Sequence, residues 1–134
     1  MIKKLILIST VLIVTSGCSE AYEEYVEGQD VYLSCYQEGS DRYVWWYSFD
    51  TDKEGESTGY YWEHTNPMTR LQLRDVVITP TRITAKEGQV DTSINRESLR
   101  MLSGVYLQCY EIGYGNAKTS REKKFKELTE NNKI

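Results

Sequence analysis

Tyr43-Val44-Trp45-Trp46-Tyr47-Ser48-Phe49 sets Tyr43, Trp45, Tyr47 and Phe49 on one face of an extended chain, with Val44 and Trp46 on the other. Successive side chains of a strand point to opposite sides of a sheet. All of these residues except Ser48 are β-branched or aromatic, types that fit a pleated, half-buried surface. Gly59-Tyr60-Tyr61-Trp62-Glu63-His64 repeats the aromatic theme after a polar stretch at 50–58, so the two segments read as a hairpin with a long loop.

The same alternation extends outward. Arg70-Leu71-Gln72-Leu73-Arg74 alternates cleanly, and then Val76 and Ile78 take up the opposite phase, a shift that a bulge near Asp75 explains. Short strands follow at 82–85, 90–95, 99–102 and 105–112, separated by turn sequences at 86–89, 96–98 and 103–104. Pro80 lacks a ladder donor and limits pairing locally. About seven to eight short strands at close spacing indicate an all-β domain over 30–112, a single antiparallel barrel or sandwich. Residues 113–134 change character: Thr119-Ser120-Arg121-Glu122 has capping-box form, but only Phe125 and Leu128 offer an apolar face. The segment is expected to be a short polar tail or a short helix.

Cys35 shares a face with Val31 and Leu33, and Cys109 shares one with Val105 and Leu107, so both thiols point toward the core. In an oxidising compartment they are expected to form a disulfide between the first and last strands, the alternative being two free buried cysteines.

The amino terminus supplies the compartment. Met1-Ile2-Lys3-Lys4, an apolar run over 5–14 and the small residues Thr15-Ser16-Gly17 form the three parts of a secretory signal. The run is far shorter than the roughly 20 apolar residues a membrane span needs. Ser16-Gly17-Cys18 resembles the lipobox of bacterial lipoprotein precursors, although Thr15 stands where leucine is usual there. The resemblance implies a signal peptide at 1–17, acylation of Cys18, and an acidic tether at 18–29. The membrane partner is then a lipid anchor in the cell envelope, at the outer membrane if the cell is Gram-negative. Cleavage after Ala21 is the alternative and gives a soluble periplasmic protein.

Removing residues 1–17 leaves 117 residues, one domain of ordinary size, with 14 basic against 20 acidic groups and a formal charge of −6. Such a balance argues against nucleic acid, whose binding needs a basic face. The chain has a single histidine, His64, both domain cysteines are assigned to a pair, and there is no Cys-x-x-Cys, so neither a catalytic set nor a metal site is expected. Asp50-Thr51-Asp52-Lys53-Glu54-Gly55 has the ligand spacing of an EF-hand opening, but Tyr61 occupies the position of its bidentate glutamate. This stretch reads as an acidic hairpin loop. No cofactor is expected.

The hairpin aromatics Trp45, Trp46, Tyr60, Tyr61 and Trp62 occupy both faces of their strands, so a one-sided core would leave some of them outside. Rigid amphipathic rings make effective contact surface, and these five form the sequence-level candidate for binding an envelope or extracellular protein. Burial on both sides, including cover by the carboxy-terminal segment, is the competing reading. An anchored β-domain with Tyr32-Leu33-Ser34-Cys35 early and Cys109 late resembles the bacterial lipoprotein inhibitors of c-type lysozyme. That resemblance covers the signal and cysteine layout; the inhibitory Ser-Gly-x-x-Tyr motif is absent. The segments at 77–83 and 94–99 also resemble small bacterial and prophage lipoproteins without an assigned activity. The expected function is a non-enzymatic protein-binding lipoprotein of inhibitor, immunity or exclusion type, the alternative being a structural envelope lipoprotein with no discrete ligand site.

Overall fold

The computed structural model describes residues 28–40 and 42–131. The signal peptide, Cys18 and most of the tether lie outside the described residues. From Val31 the chain runs through β1 (Val31–Gln37), β2 (Val44–Phe49), β3 (Gly55–Ser57), β4 (Gly59–Glu63) and β5 (Asn66–Gln72). It continues through β6 (Arg74–Ile78), β7 (Arg82–Glu87), β8 (Val90–Asn95), β9 (Arg100–Ser103) and β10 (Val105–Ile112), and ends in α1 (Tyr114–Asn131).

All ten strands belong to one sheet in the order β3-β6-β7-β8-β9-β10-β1-β2-β4-β5, and every neighbouring pair is antiparallel. The count exceeds the expected seven to eight because β3 forms inside the 50–58 stretch expected to be loop, and because each arm of one long hairpin is interrupted. Thr58 separates β3 from β4 and Leu73 separates β5 from β6, while the Leu73 N–H still donates to the Gly59 carbonyl at 2.9 Å. Both ends of the sheet therefore belong to one bent hairpin, and the sheet curls back on itself in a barrel-like form.

The bend has identifiable local causes. Gly59 pairs with Phe49, where a Cβ would lie 2.8 Å from a Phe49 ring carbon and 2.9 Å from the Ser48 carbonyl oxygen. Only glycine lets the two backbones approach this closely. On the other arm Asp75 has φ of 52° and the β6–β7 register shifts between Arg74 and Val77, the bulge that the change of alternation at Val76 implies.

The concave side holds the main core. Leu33, Tyr47, Phe49, Ile78, Ile94 and Met101 are buried there with both cysteines. Cys35 and Cys109 face each other directly in the β1–β10 register and are joined by a disulfide.

The carboxy-terminal segment is a helix of 18 residues, longer than the expected short tail or short helix. It begins at Tyr114, with Ala117 N–H donating to the Gly113 carbonyl at 2.9 Å, so the Thr119–Glu122 sequence lies inside the helix and does not cap it. Ala117 and Arg121 are buried on its docked side, and tertiary packing supplies what its own weak apolar face does not.

The disulfide closes a separation of 74 residues, and its loss releases about 4.5 kcal/mol of unfolded-state restriction in the chain-entropy model. The Cys35→Ala, Cys109→Ala double variant is expected to lose about 3 to 5 kcal/mol in chemical denaturation relative to the oxidised protein, with the native sheet signature retained.

Candidate functional site

The convex side of the sheet carries the candidate site, and alternation determines which side chains reach it. Tyr32, Ser34 and Tyr36 come from β1; Val44, Trp46 and Ser48 from β2; Tyr60 and Trp62 from β4; and Tyr106, Gln108, Tyr110 and Ile112 from β10. The face is divided in two by α1.

Under the helix, Val44, Trp46 and Trp62 form a second buried cluster, with Tyr36, Tyr60 and Ile112 packed at its margin. The Trp46 indole N–H donates to Ser120 Oγ at 3.1 Å, so this buried ring keeps its one polar group satisfied. The Arg121 guanidinium lies 4.4 Å from the Trp62 ring centroid, within cation–π range.

The five rings singled out from the sequence do not share one surface. Trp46 and Trp62 are sealed under α1, and Tyr61 is buried on the concave side. Trp45 is half-buried against the main core. Only Tyr60 stays partly open on the convex side, where the Arg70 guanidinium lies 5.0 Å from its ring centroid.

Beyond the helix the same face continues uncovered. Tyr106 and Tyr110 are 57% and 55% exposed, among the most open large apolar side chains described, and Leu102 beside them is 42% exposed. Tyr110 meets the half-buried Tyr36 edge-to-face with ring centroids 6.0 Å apart. The Arg100 guanidinium lies 5.5 Å from the Tyr106 centroid and is paired with Glu38 Oε2 at 2.6 Å. Two open grooves flank this row. One of about 900 Å³ is bordered by Tyr36, Glu38, Gln108 and Tyr110, and one of about 440 Å³ by Arg82, Ser93, Arg100 and Tyr106. The signal for this patch was present in the sequence: Tyr106, Gln108 and Tyr110 alternate with the inward Leu107 and Cys109.

The interior polar groups are committed to one another. Tyr47 Oη donates to Glu87 Oε1 at 2.6 Å, Ser103 Oγ donates to the same oxygen at 3.0 Å, and Ser103 Oγ lies 2.8 Å from Thr92 Oγ1. Burial, followed by the Glu87 charge and hydrogen bond, holds the Tyr47 phenol well above its usual range, so it remains a neutral donor. Tyr61 is likewise raised, by burial first and then by Glu87 and Glu63.

His64 sits at the β4–β5 turn, edge-on to Tyr43 at 4.9 Å, and its Nδ1 accepts the Val44 N–H at 3.3 Å. In the 50–55 loop, Asp50 Oδ1 accepts the Asp52 N–H, and Asp30 binds both polar groups of Thr51 at 2.7 Å. Among the described residues, no group of three or more His, Cys, Asp or Glu side chains is placed to hold a metal ion.

No family model matches the chain, and no curated protein or solved structure matches it at a significant level.

Two outcomes follow for this face. Ala117→Glu puts a charge beneath α1, and the helix is expected to undock: tryptophan emission should shift to the red as Trp46 and Trp62 meet water, while the far-ultraviolet sheet signal persists. Burial, then the nearby Lys124 charge, lowers the His64 pKa, with Glu127 opposing. The unfolded chain therefore takes up this proton first as pH falls. The His64 contribution to stability is complete above about 6.5 and is lost as pH drops from there through the lower folded value. Denaturation midpoints should decline as pH falls below about 6.5, and His64→Asn, which keeps an acceptor for the Val44 N–H, should flatten that decline.

Proposed function

We propose that this chain is a membrane-anchored envelope lipoprotein, tethered through lipid on Cys18, whose β-domain acts as a non-enzymatic protein-binding module of inhibitor, immunity or exclusion type. The contact surface in this reading is the uncovered half of the convex face, Tyr36, Tyr106 and Tyr110 with Leu102 and Arg100, in place of the hairpin rings. The observation that carries it is that a helix seals one half of an aromatic sheet face while the tyrosines of the other half stay open. Tyrosine and arginine are enriched among residues that dominate binding energy, since they give large contact area at small entropic cost. The tyrosines stand on paired strands flanking the disulfide, which makes the surface rigid before any partner arrives.

A photo-crosslinking side chain placed at Tyr110 in the full-length protein, in cells, tests this reading. A discrete protein adduct that weakens at least tenfold on Tyr106→Ala is the expected result, with the membrane-extracted protein carrying an acyl mass on Cys18. Absence of any adduct on this face would contradict the binding role, and a mass beginning at Tyr22 would contradict the anchor.

A further inference from the structure

The groove beside Tyr106 carries information about the partner. Two arginines, Arg82 from β7 and Arg100 from β9, line it together with Ser93, Ser98, Leu102 and Tyr106, and no carboxylate is among its lining residues. The chain as a whole is acidic, with a formal charge of −4, so a groove walled by two guanidinium groups runs against the overall balance. Arg82 donates to the neutral Ser93 hydroxyl at 2.7 Å, a bond that fixes its direction without compensating its charge. Arg100 gives one nitrogen to Glu38 on the far side and lies against the Tyr106 ring. A guanidinium has five N–H donors in a planar fork, so each arginine keeps donor capacity beyond these contacts. The Glu38–Arg100 pair is about half-exposed on both sides, a setting in which an ion pair is weak and exchanges readily.

Resting on the protein-binding reading above, we infer that the groove between Arg82 and Arg100 receives an acidic segment of the partner protein, with an Asp or Glu carboxylate held by the two guanidinium groups. Charge complementarity carries the choice of occupant: an anion is favoured by both arginines, and a cation is opposed by both. Leu102 and Tyr106 give the same segment an apolar edge to lie against, so the recognised sequence pairs acidic with apolar or aromatic residues. The carboxylate takes the arginine donors in a forked, charge-assisted geometry, the arrangement that distinguishes Arg from Lys.

The test places a photo-crosslinking side chain at Leu102 in the full-length anchored protein and sequences the captured peptide. An adduct to a peptide bearing Asp or Glu within a few residues is expected. Its yield should fall at least tenfold with Arg82→Gln and Arg100→Gln together, decline as salt is raised, and stay unchanged with Lys53→Glu on a distant loop. Arg100→Gln alone, at a half-exposed position, guards against a folding defect and should give an intermediate loss. An adduct whose yield is the same in the double variant overturns the carboxylate inference while leaving the binding module intact. An adduct to lipid or polysaccharide overturns it as well. No adduct from Leu102, Tyr106 or Tyr110 overturns both readings.

Discussion

The pairing of the first strand with the last, in the register that sets Cys35 opposite Cys109, is the constraint on which the rest of the structure depends. β1 joins β10 on one side and β2 on the other, linking the two ends of the described sequence through the middle of the sheet. That junction is the contact of greatest sequence separation in the sheet and the most costly in loop-closure entropy, and the disulfide removes much of the cost by restricting the unfolded chain. A one-residue slip here would turn Leu33, Cys35, Leu107 and Cys109 outward and bring tyrosines into the core.

Once that register is set, strands β1, β2, β4 and β10 are committed to carrying large side chains on both faces. The concave side takes the aliphatic groups, Tyr47, Phe49 and the disulfide. On the convex side the problem is different, since Trp46 and Trp62 are too large and too close to leave in water without cost. A helix with little apolar surface of its own suffices to cover them because the sheet supplies the area, Ser120 satisfies the Trp46 indole and the Arg121 cation lies over Trp62. The helix reaches only part of the face. The rest, with its tyrosines and arginines, is the surface on which the proposed function rests.

Much of the sheet was legible from alternation. The phase of Cys35 and Cys109 pointed to their pairing, and the change of phase at Val76 marked the bulge at Asp75. Strand number was less legible, because β3 forms by pairing with β6 in a polar stretch that reads as loop, and the break at Leu73 arises from the bend of a hairpin around the sheet, a tertiary effect with no strong turn sequence of its own. The helix at 114–131 was legible only as one of two alternatives, a short tail or a short helix, because its docking contacts lie 59 residues (Arg121–Trp62) to 74 residues (Ser120–Trp46) earlier in the chain, which local periodicity does not report. The same ambiguity bears on the candidate site. The hairpin rings read either as contact surface or as buried in part beneath the carboxy-terminal segment; Trp46 and Trp62 are interior, and the tyrosines of β10 are the exposed ones.

The central claim is that α1 divides the convex face into a sealed half and a working half. Oxidative footprinting of the protein, purified and in its native envelope, measures this directly. The account requires Trp46 and Trp62 to be protected in both settings, and Tyr106 and Tyr110 to be labelled rapidly when purified but slowly in the envelope. Labelling of Trp46 and Trp62 at the rate of Tyr106 in the purified protein, or tyrosine rates identical in the two settings, would contradict it.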